Sequence, residues 1–343
     1  MDKRGKTRYL VNVAVTYVGT VIGAGFASGQ EIVLFFTRYG KISHMTILVS
    51  IILFMCIGSK ILVLGKKLKV NCYGDMTRSI FKRLAPFVDI YMFVAYMTIS
   101  IAMFAGAGAL FAEHYWMGIF ITAGFAAFTI INGLDGLLYV NAVIIPVIFL
   151  FNIILFAYHI EPPAIFHDCQ EKLSLGFAFN SIKSSLTYAS YNIILCIGVM
   201  APLGNSIEDK TILRWGGHMG GIIIGIMLFI SNYCLLAYMP YISVREMPLL
   251  EISRVISPIF GWLYTFILWG AIFTTLIANL FSITSILESL VPQRLYNMIS
   301  ICIIMLFALF AKFGFSNIIS TFYPILGAIG LIFIVYMGLI VKN

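Results

Sequence analysis

Residues 19–31 read Gly19-Thr20-Val21-Ile22-Gly23-Ala24-Gly25-Phe26-Ala27-Ser28-Gly29-Gln30-Glu31. The run lies in the middle of the first apolar stretch, where a continuous helix would satisfy all of its own backbone. If the helix breaks around Gly23 to Gly25, the leading half ends on free carbonyls and the trailing half begins on free amides. Carbonyls of Gly19 and Ile22 then face a cation. The N–H groups of Ala24, Gly25 and Phe26, approached over the bare backbone of Gly23 and Gly25, face a carboxylate at the positive end of a half-helix. A competing reading is close helix packing, because Gly19/Gly23 and Gly25/Gly29 are small-xxx-small pairs. Both readings can hold at once. A dinucleotide-binding loop is excluded, since no strand precedes the glycines.

Other polar residues lie deep in apolar surroundings. Gln30 and Glu31 follow the glycines by about one and a half turns, and a carboxylate at membrane depth is by default a functional group. Glu31 is a proton carrier, a gate or a cation ligand in one reading and a surface partner of Arg38 in another. Asn279 is either a pathway group or a helix–helix clamp. His44, His114, His159, His167 and His218 show no metal-ligand spacing. Cys56, Cys72, Cys169, Cys196, Cys234 and Cys302 contain no CxxC pair, which argues against a metal cluster or disulfide framework.

The elements that must position these groups are transmembrane helices. The 343 residues are 61% hydrophobic and only 10% charged, against about 25% charged in a soluble domain. Such a chain cannot cover a water-facing surface. The net charge of +8 is spread between apolar runs, which marks topology rather than a nucleic-acid patch. The first apolar run is too long for the h-region of a signal peptide. Ten runs are long enough to cross a bilayer, near 9–36, 42–65, 87–112, 115–132, 137–158, 181–203, 215–239, 257–287, 296–311 and 317–340. With the N-terminus inside, inner segments carry fourteen Lys and Arg against six outside, which predicts both termini on the cytoplasmic face of the cell membrane.

The longest connection, 159–180, divides the chain into 1–158 and 181–343 with five spans each. An odd number of spans inverts a second copy of the first half, so the organisation predicted is an all-α, five-plus-five inverted repeat. Its broken helices should be the first span of each half. In the sixth span the polar interruption is Tyr188-Ala189-Ser190-Tyr191-Asn192. Tyr188, Ser190, Tyr191 and Asn192 would then offer hydroxyl, amide and exposed backbone groups to an amino group. The competing reading is aromatic packing with an ordinary interhelical hydrogen bond. The small residues of spans 3 and 7 read as packing faces, the polar loop Asn205–Arg214 as a helix cap, and Pro324 as a kink in span 10.

The segment Thr16–Ile32 and the glycine run Gly19–Gly25 resemble the broken first helix of the amino acid–polyamine–organocation superfamily, and within it the YkvI-type amino acid permeases of bacteria. The resemblance implies a LeuT-like fold and a secondary transporter of an amino acid or similar small zwitterion, with Na⁺ or H⁺ as coupling ion and no other cofactor. It also implies a sodium site of five neutral oxygens: the Gly19, Ile22 and Ala271 carbonyls with the Thr274 and Thr275 hydroxyls. Membrane threonines also bond to their own helix, so that site stays open at this point. Some proton-coupled relatives place a lysine from span 5 there, whereas span 5 here offers Asn141 and Asn152. A nutrient or germinant sensor on the same fold is the other function to weigh. An enzyme is disfavoured, because HExxH, GxSxG and paired membrane aspartates are missing from the sequence.

Overall fold

The computed structural model describes residues 3–158, 174–239, 241–242, 245–288 and 290–340. Most of the 159–180 connection, including His159, His167 and Cys169, lies outside the described residues. Most of the described residues are helical, because at membrane depth backbone groups must be paired within their own segment.

The first expected span is three helices, α1 (Lys3–Val21), α2 (Ala24–Ser28) and α3 (Gln30–Phe35). The second is α4 (Ser43–Leu53) and α5 (Ser59–Lys67), joined through one π-helical turn at Phe54–Gly58. The amphipathic α6 (Tyr73–Phe81) leads to α7 (Ala85–Leu110), α8 (Tyr115–Ile131) and α9 (Gly133–Tyr158). The second half holds α10 (Leu175–Ser206), α11 (Lys210–Ala237), α12 (Pro248–Ile256), α13 (Pro258–Glu288), α14 (Gln293–Leu309) and α15 (Phe315–Ile340). Among the described residues, eight of the expected spans form helices long and apolar enough to cross a membrane. The fourth expected span is the 17-residue α8, and the first is the divided one. The chain is a multi-pass membrane protein. Its outer surface carries exposed Phe87, Phe128, Trp262, Phe266 and Ile332, as lipid contact requires.

Helices α10 and α13 are the most enclosed. Helix α1 packs on α11, α10 on α5 and α15, and α13 on α7. Glycines set how closely these pairs approach. A Cβ at Gly216 would meet Val13, and one at Gly217 would meet Ser59, so α11 wedges between α1 and α5. The glycines of span 7 are thus a packing face, as the sequence predicts.

Two helices escape the hydropathy reading, α6 and α12, because each is short and only half apolar. Cys72 and Asp75 form a capping box at the start of α6. Pro248 opens α12, which buries Leu249, Leu250 and Ile252. The Asn205–Arg214 loop is a three-residue link. Its Asp209 caps the long helix α11, accepting from the Thr211 N–H at 2.8 Å and pairing with Lys6 at 3.4 Å. The Thr211 bond and the Lys6 charge hold that carboxyl below the ordinary carboxylate range. Pro324 lies inside a continuous α15.

Candidate functional site

The break falls where the glycines predict. Gly23 is extended (φ −106°, ψ −165°), and its N–H turns back to Val21 O at 3.1 Å instead of continuing the ladder to Gly19 O. The first amide of α2 with a helical acceptor is Ala27 N, on Gly23 O at 2.8 Å. The N–H groups of Ala24, Gly25 and Phe26 and the Ile22 carbonyl therefore stand outside α2's own ladder, and no side chain caps the helix. A second interruption follows at Gly29, whose left-handed conformation (φ +86°) separates α2 from α3.

Each glycine of the break faces a polar side chain that a Cβ would displace. A Cβ at Gly19 would collide with the Asn141 amide, at Gly23 with Thr275, and at Gly25 with the Glu31 carboxylate. Close packing and a backbone break are both present, and the packing partners are polar.

On one side of the break lie α9 and α13. The Thr275 hydroxyl is buried and without a hydrogen-bond partner, and both amide atoms of the fully buried Asn141 are in the same state. Buried polar groups in this condition are rare. The neighbouring polar groups are conventional. Thr274 donates to Ala271 O at 3.0 Å, Asn279 donates to Thr275 O at 2.9 Å, and Asn152 accepts from Ser231 at 2.7 Å. Thr274 and Asn279 thus serve their own helix. The orphaned oxygens of Thr275 and Asn141 are aimed at Gly23 and Gly19, where the resemblance implies a sodium site.

On the other side lies Glu31. Its side chain folds back against Gly25, is 4% exposed, and accepts a hydrogen bond from Tyr191 at 2.5 Å. Arg38 points elsewhere, to Tyr39 Oη at 2.8 Å, so the surface pair between Glu31 and Arg38 is not formed. Tyr191, which holds the carboxylate, sits in an aromatic cluster with Phe35, Tyr188 and Tyr323, at centroid distances of 5.8, 5.7 and 5.1 Å. Tyr264, from α13, donates to Ala27 O and steadies the short α2.

The second predicted break is absent. Helix α10 runs from Leu175 to Ser206 without interruption through Tyr188–Asn192. Its polar side chains fold back onto it: Thr187 onto Lys183 O, Ser190 onto Leu186 O (2.6 Å) and Asn192 onto Tyr188 O (3.0 Å). The stretch contains no glycine or proline, so nothing releases the ladder. Ser190 and Asn192 thus each donate to their own helix. Tyr188 and Tyr191 reach the site through their rings, and the Tyr188 hydroxyl is buried without a partner.

Two cavities approach the break from opposite ends of the bundle. One of about 370 Å³ lies beside α12 and is lined by Gln30, Arg38, Arg245, Glu246 and Ser316. Gln30 closes its floor by donating to Ser316 Oγ at 2.5 Å. The other, about 360 Å³, lies where α9 begins and α10 and α13 end, lined by Asn71, Leu134, Pro202, Asn205 and Ser285.

No family model matches the chain. The membrane protein YkvI of Bacillus subtilis (strain 168) is 28% identical over 329 residues, covering 94% of this chain and 93% of that protein. YyaD of the same organism is 26% identical over 326 residues, 93% of each. Among solved structures, MhsT in complex with L-phenylalanine superposes with a TM-score of 0.66 at 13% identity, covering 96% of this chain and 88% of that one. A manganese transporter of Eremococcus coleocola gives 0.63 at 16% identity, covering 97% and 79%. The fold is LeuT-like.

Proposed function

We propose that the chain is a secondary transporter of an amino acid or similar small zwitterion, working by alternating access in the cell membrane with both termini cytoplasmic. The observation that carries this reading is the break at Ile22–Gly23. It places unladdered, buried amides of Ala24, Gly25 and Phe26 at the positive end of α2. A substrate carboxylate fits those amides. MhsT, whose solved structure holds L-phenylalanine, shares the fold.

Sodium coupling is the second part of the proposal. The Gly19, Ile22 and Ala271 carbonyls, with the Thr274 and Thr275 hydroxyls, supply oxygen ligands, and the unpartnered Thr275 hydroxyl supports the assignment. Ion binding would order the break and favour the state that admits substrate, by as much as its affinity differs between states.

The test is a thermal-shift screen of the purified protein against amino acids in sodium and then in potassium, followed by uptake into proteoliposomes. At least one amino acid is expected to stabilise the protein and to be taken up. Stabilisation without uptake would identify a nutrient sensor, and no stabilisation in either salt would end the amino acid assignment. Thr274→Val combined with Thr275→Val is expected to abolish sodium dependence, and if it survives the ion site is elsewhere.

A further inference from the structure

An amino acid presents two charges, and the break accounts for only one of them. The amides of α2 suit the carboxylate. The exposed backbone that would receive an ammonium group in the sixth span does not exist, because α10 is continuous. The carbonyls of that stretch are committed to its helix, and the Leu186 and Tyr188 carbonyls additionally accept from Ser190 and Asn192.

Glu31 supplies the acidic group at this place. It is buried, and its carboxylate lies against Gly25, within the same turn as the free amides. Among the described residues it makes no ion pair. Lys6–Asp209, Arg78–Asp75 and Arg254–Glu251 pair elsewhere. A single neutral donor, the Tyr191 hydroxyl, holds one oxygen. A carboxylate so enclosed is costly unless a cation arrives to pair with it. The surrounding box is aromatic. Phe35, Tyr188 and Tyr191 contact one another at centroid distances of 5.6 to 5.8 Å, Tyr323 closes the side at 5.1 Å from Tyr191, and the unpartnered Tyr188 hydroxyl lies within electrostatic range of the carboxyl. Ring faces attract an alkylated ammonium. They are poor ligands for a hard metal ion, which asks for about six oxygens. No group of three or more His, Cys, Asp and Glu suited to a metal occurs among the described residues.

We propose that Glu31, within the box of Phe35, Tyr188, Tyr191 and Tyr323, is the subsite for a protonated amino group, and that the solute must carry one. The inference rests on the transporter reading and specifies its ligand. Glu31 then sets both orientation and specificity. The amine lies toward Glu31, the carboxylate toward the Gly25 and Phe26 amides, and solutes lacking a positive amine are rejected because they leave a buried carboxylate unpaired. Gly25 belongs to the same device, since any side chain there would occupy the carboxylate's place.

The test uses the full-length protein in detergent and matched probe sets. One set is L-phenylalanine, 2-phenylethylamine and 3-phenylpropanoate; another is L-leucine, isopentylamine and 4-methylpentanoate. Each is scored by thermal shift and by competition against whichever amino acid stabilises the protein. Amine-bearing members are expected to bind and the amine-free acids to bind at least tenfold more weakly. Glu31→Gln should weaken amine-bearing ligands at least tenfold, with Glu31→Asp restoring part of the loss. Acids binding as tightly as their amino acids would overturn the subsite while leaving the transporter reading intact. So would a Glu31-dependent response to Na⁺ or Mn²⁺ with no amine response. If no member of any set and no amino acid binds the wild type, both readings fall together. The wild-type comparison of amine with acid needs no variant, so an unstable Glu31→Gln does not remove the test.

Discussion

The first and sixth spans begin from the same expectation of a mid-membrane break and part company. Helices α1 to α3 give up the ladder at Ile22–Gly23 and turn again at Gly29, whereas α10 is one helix of 32 residues that keeps its ladder through Tyr188–Asn192. Both are polar at their centres. What separates them is the kind of polarity. In α10 hydroxyl and amide side chains reach back to their own carbonyls and reinforce the helix. Thr20 and Ser28 do the same on either side of the break, onto Tyr17 O and Gly25 O, but from Ile22 to Gly25 there is no polar side chain to do this, and the polar groups come from elsewhere: Asn141 from α9, Thr275 from α13, and Glu31 from the far side of Gly29. A polar run inside a membrane helix therefore does not by itself predict a break; removal of side chains, with polar neighbours opposite, does.

The largest effect is expected from filling the break. Gly25→Ala drives a Cβ into the Glu31 carboxylate. It should destabilise the protein by about 1–3 kcal/mol, the usual range for overpacking, and eliminate ligand-induced thermal shift and uptake. A Gly25→Ala protein that binds as well as the wild type would mean that the carboxylate does not need this place.

A smaller loss is expected at the contact between the two spans. Tyr191→Phe removes the hydroxyl that donates to Glu31. An intramolecular hydrogen bond contributes about 0.5–1.5 kcal/mol, so the melting temperature should fall measurably. An unchanged melting temperature would show that Glu31 has another partner.

The first span was readable because its signal is steric. Gly19, Gly23, Gly25 and Gly29 announce a place where backbone must come close or bend, and the structure does both. The composition and the runs of apolar residues likewise announced the helices, apart from α6 and α12, whose alternating apolar and polar residues fall below a hydropathy threshold. The sixth span misled because sequence does not say whether Ser190 and Asn192 hydrogen-bond outward or to their own helix. Glu31 stood out as a buried carboxylate, but its partner could not be read, since Tyr191 is 160 positions away. Asn141 was visible only as a residue that is not lysine. Its importance comes from contact with Gly19, and no local pattern encodes that.

The next prediction sharpens the contrast from the ion side. Thr275→Val and Asn141→Leu each replace a buried unpartnered group by an apolar one. Replacing such a group removes a desolvation cost of about 1–3 kcal/mol, so melting temperatures should hold or rise while any sodium-dependent shift is lost. A fall in stability in potassium, where no sodium is bound, would show that these groups have protein partners.

The smallest effect belongs to α10. Ser190→Ala removes a hydroxyl that only returns to Leu186 O. A hydroxyl bonding back to its own helix adds little, so stability should change by less than about 1 kcal/mol, with ligand affinity unaffected. A tenfold loss of affinity would restore Ser190 to the binding site.

The recognition role of the interrupted first span is tested most directly by a density map of the protein saturated with the amino acid that gives the largest thermal shift. Ligand carboxylate oxygens are expected at roughly 3 Å from the Gly25 and Phe26 amides, with the chain turning at Gly23. A ligand seated away from those amides, or a first helix running straight through Gly25, would contradict it.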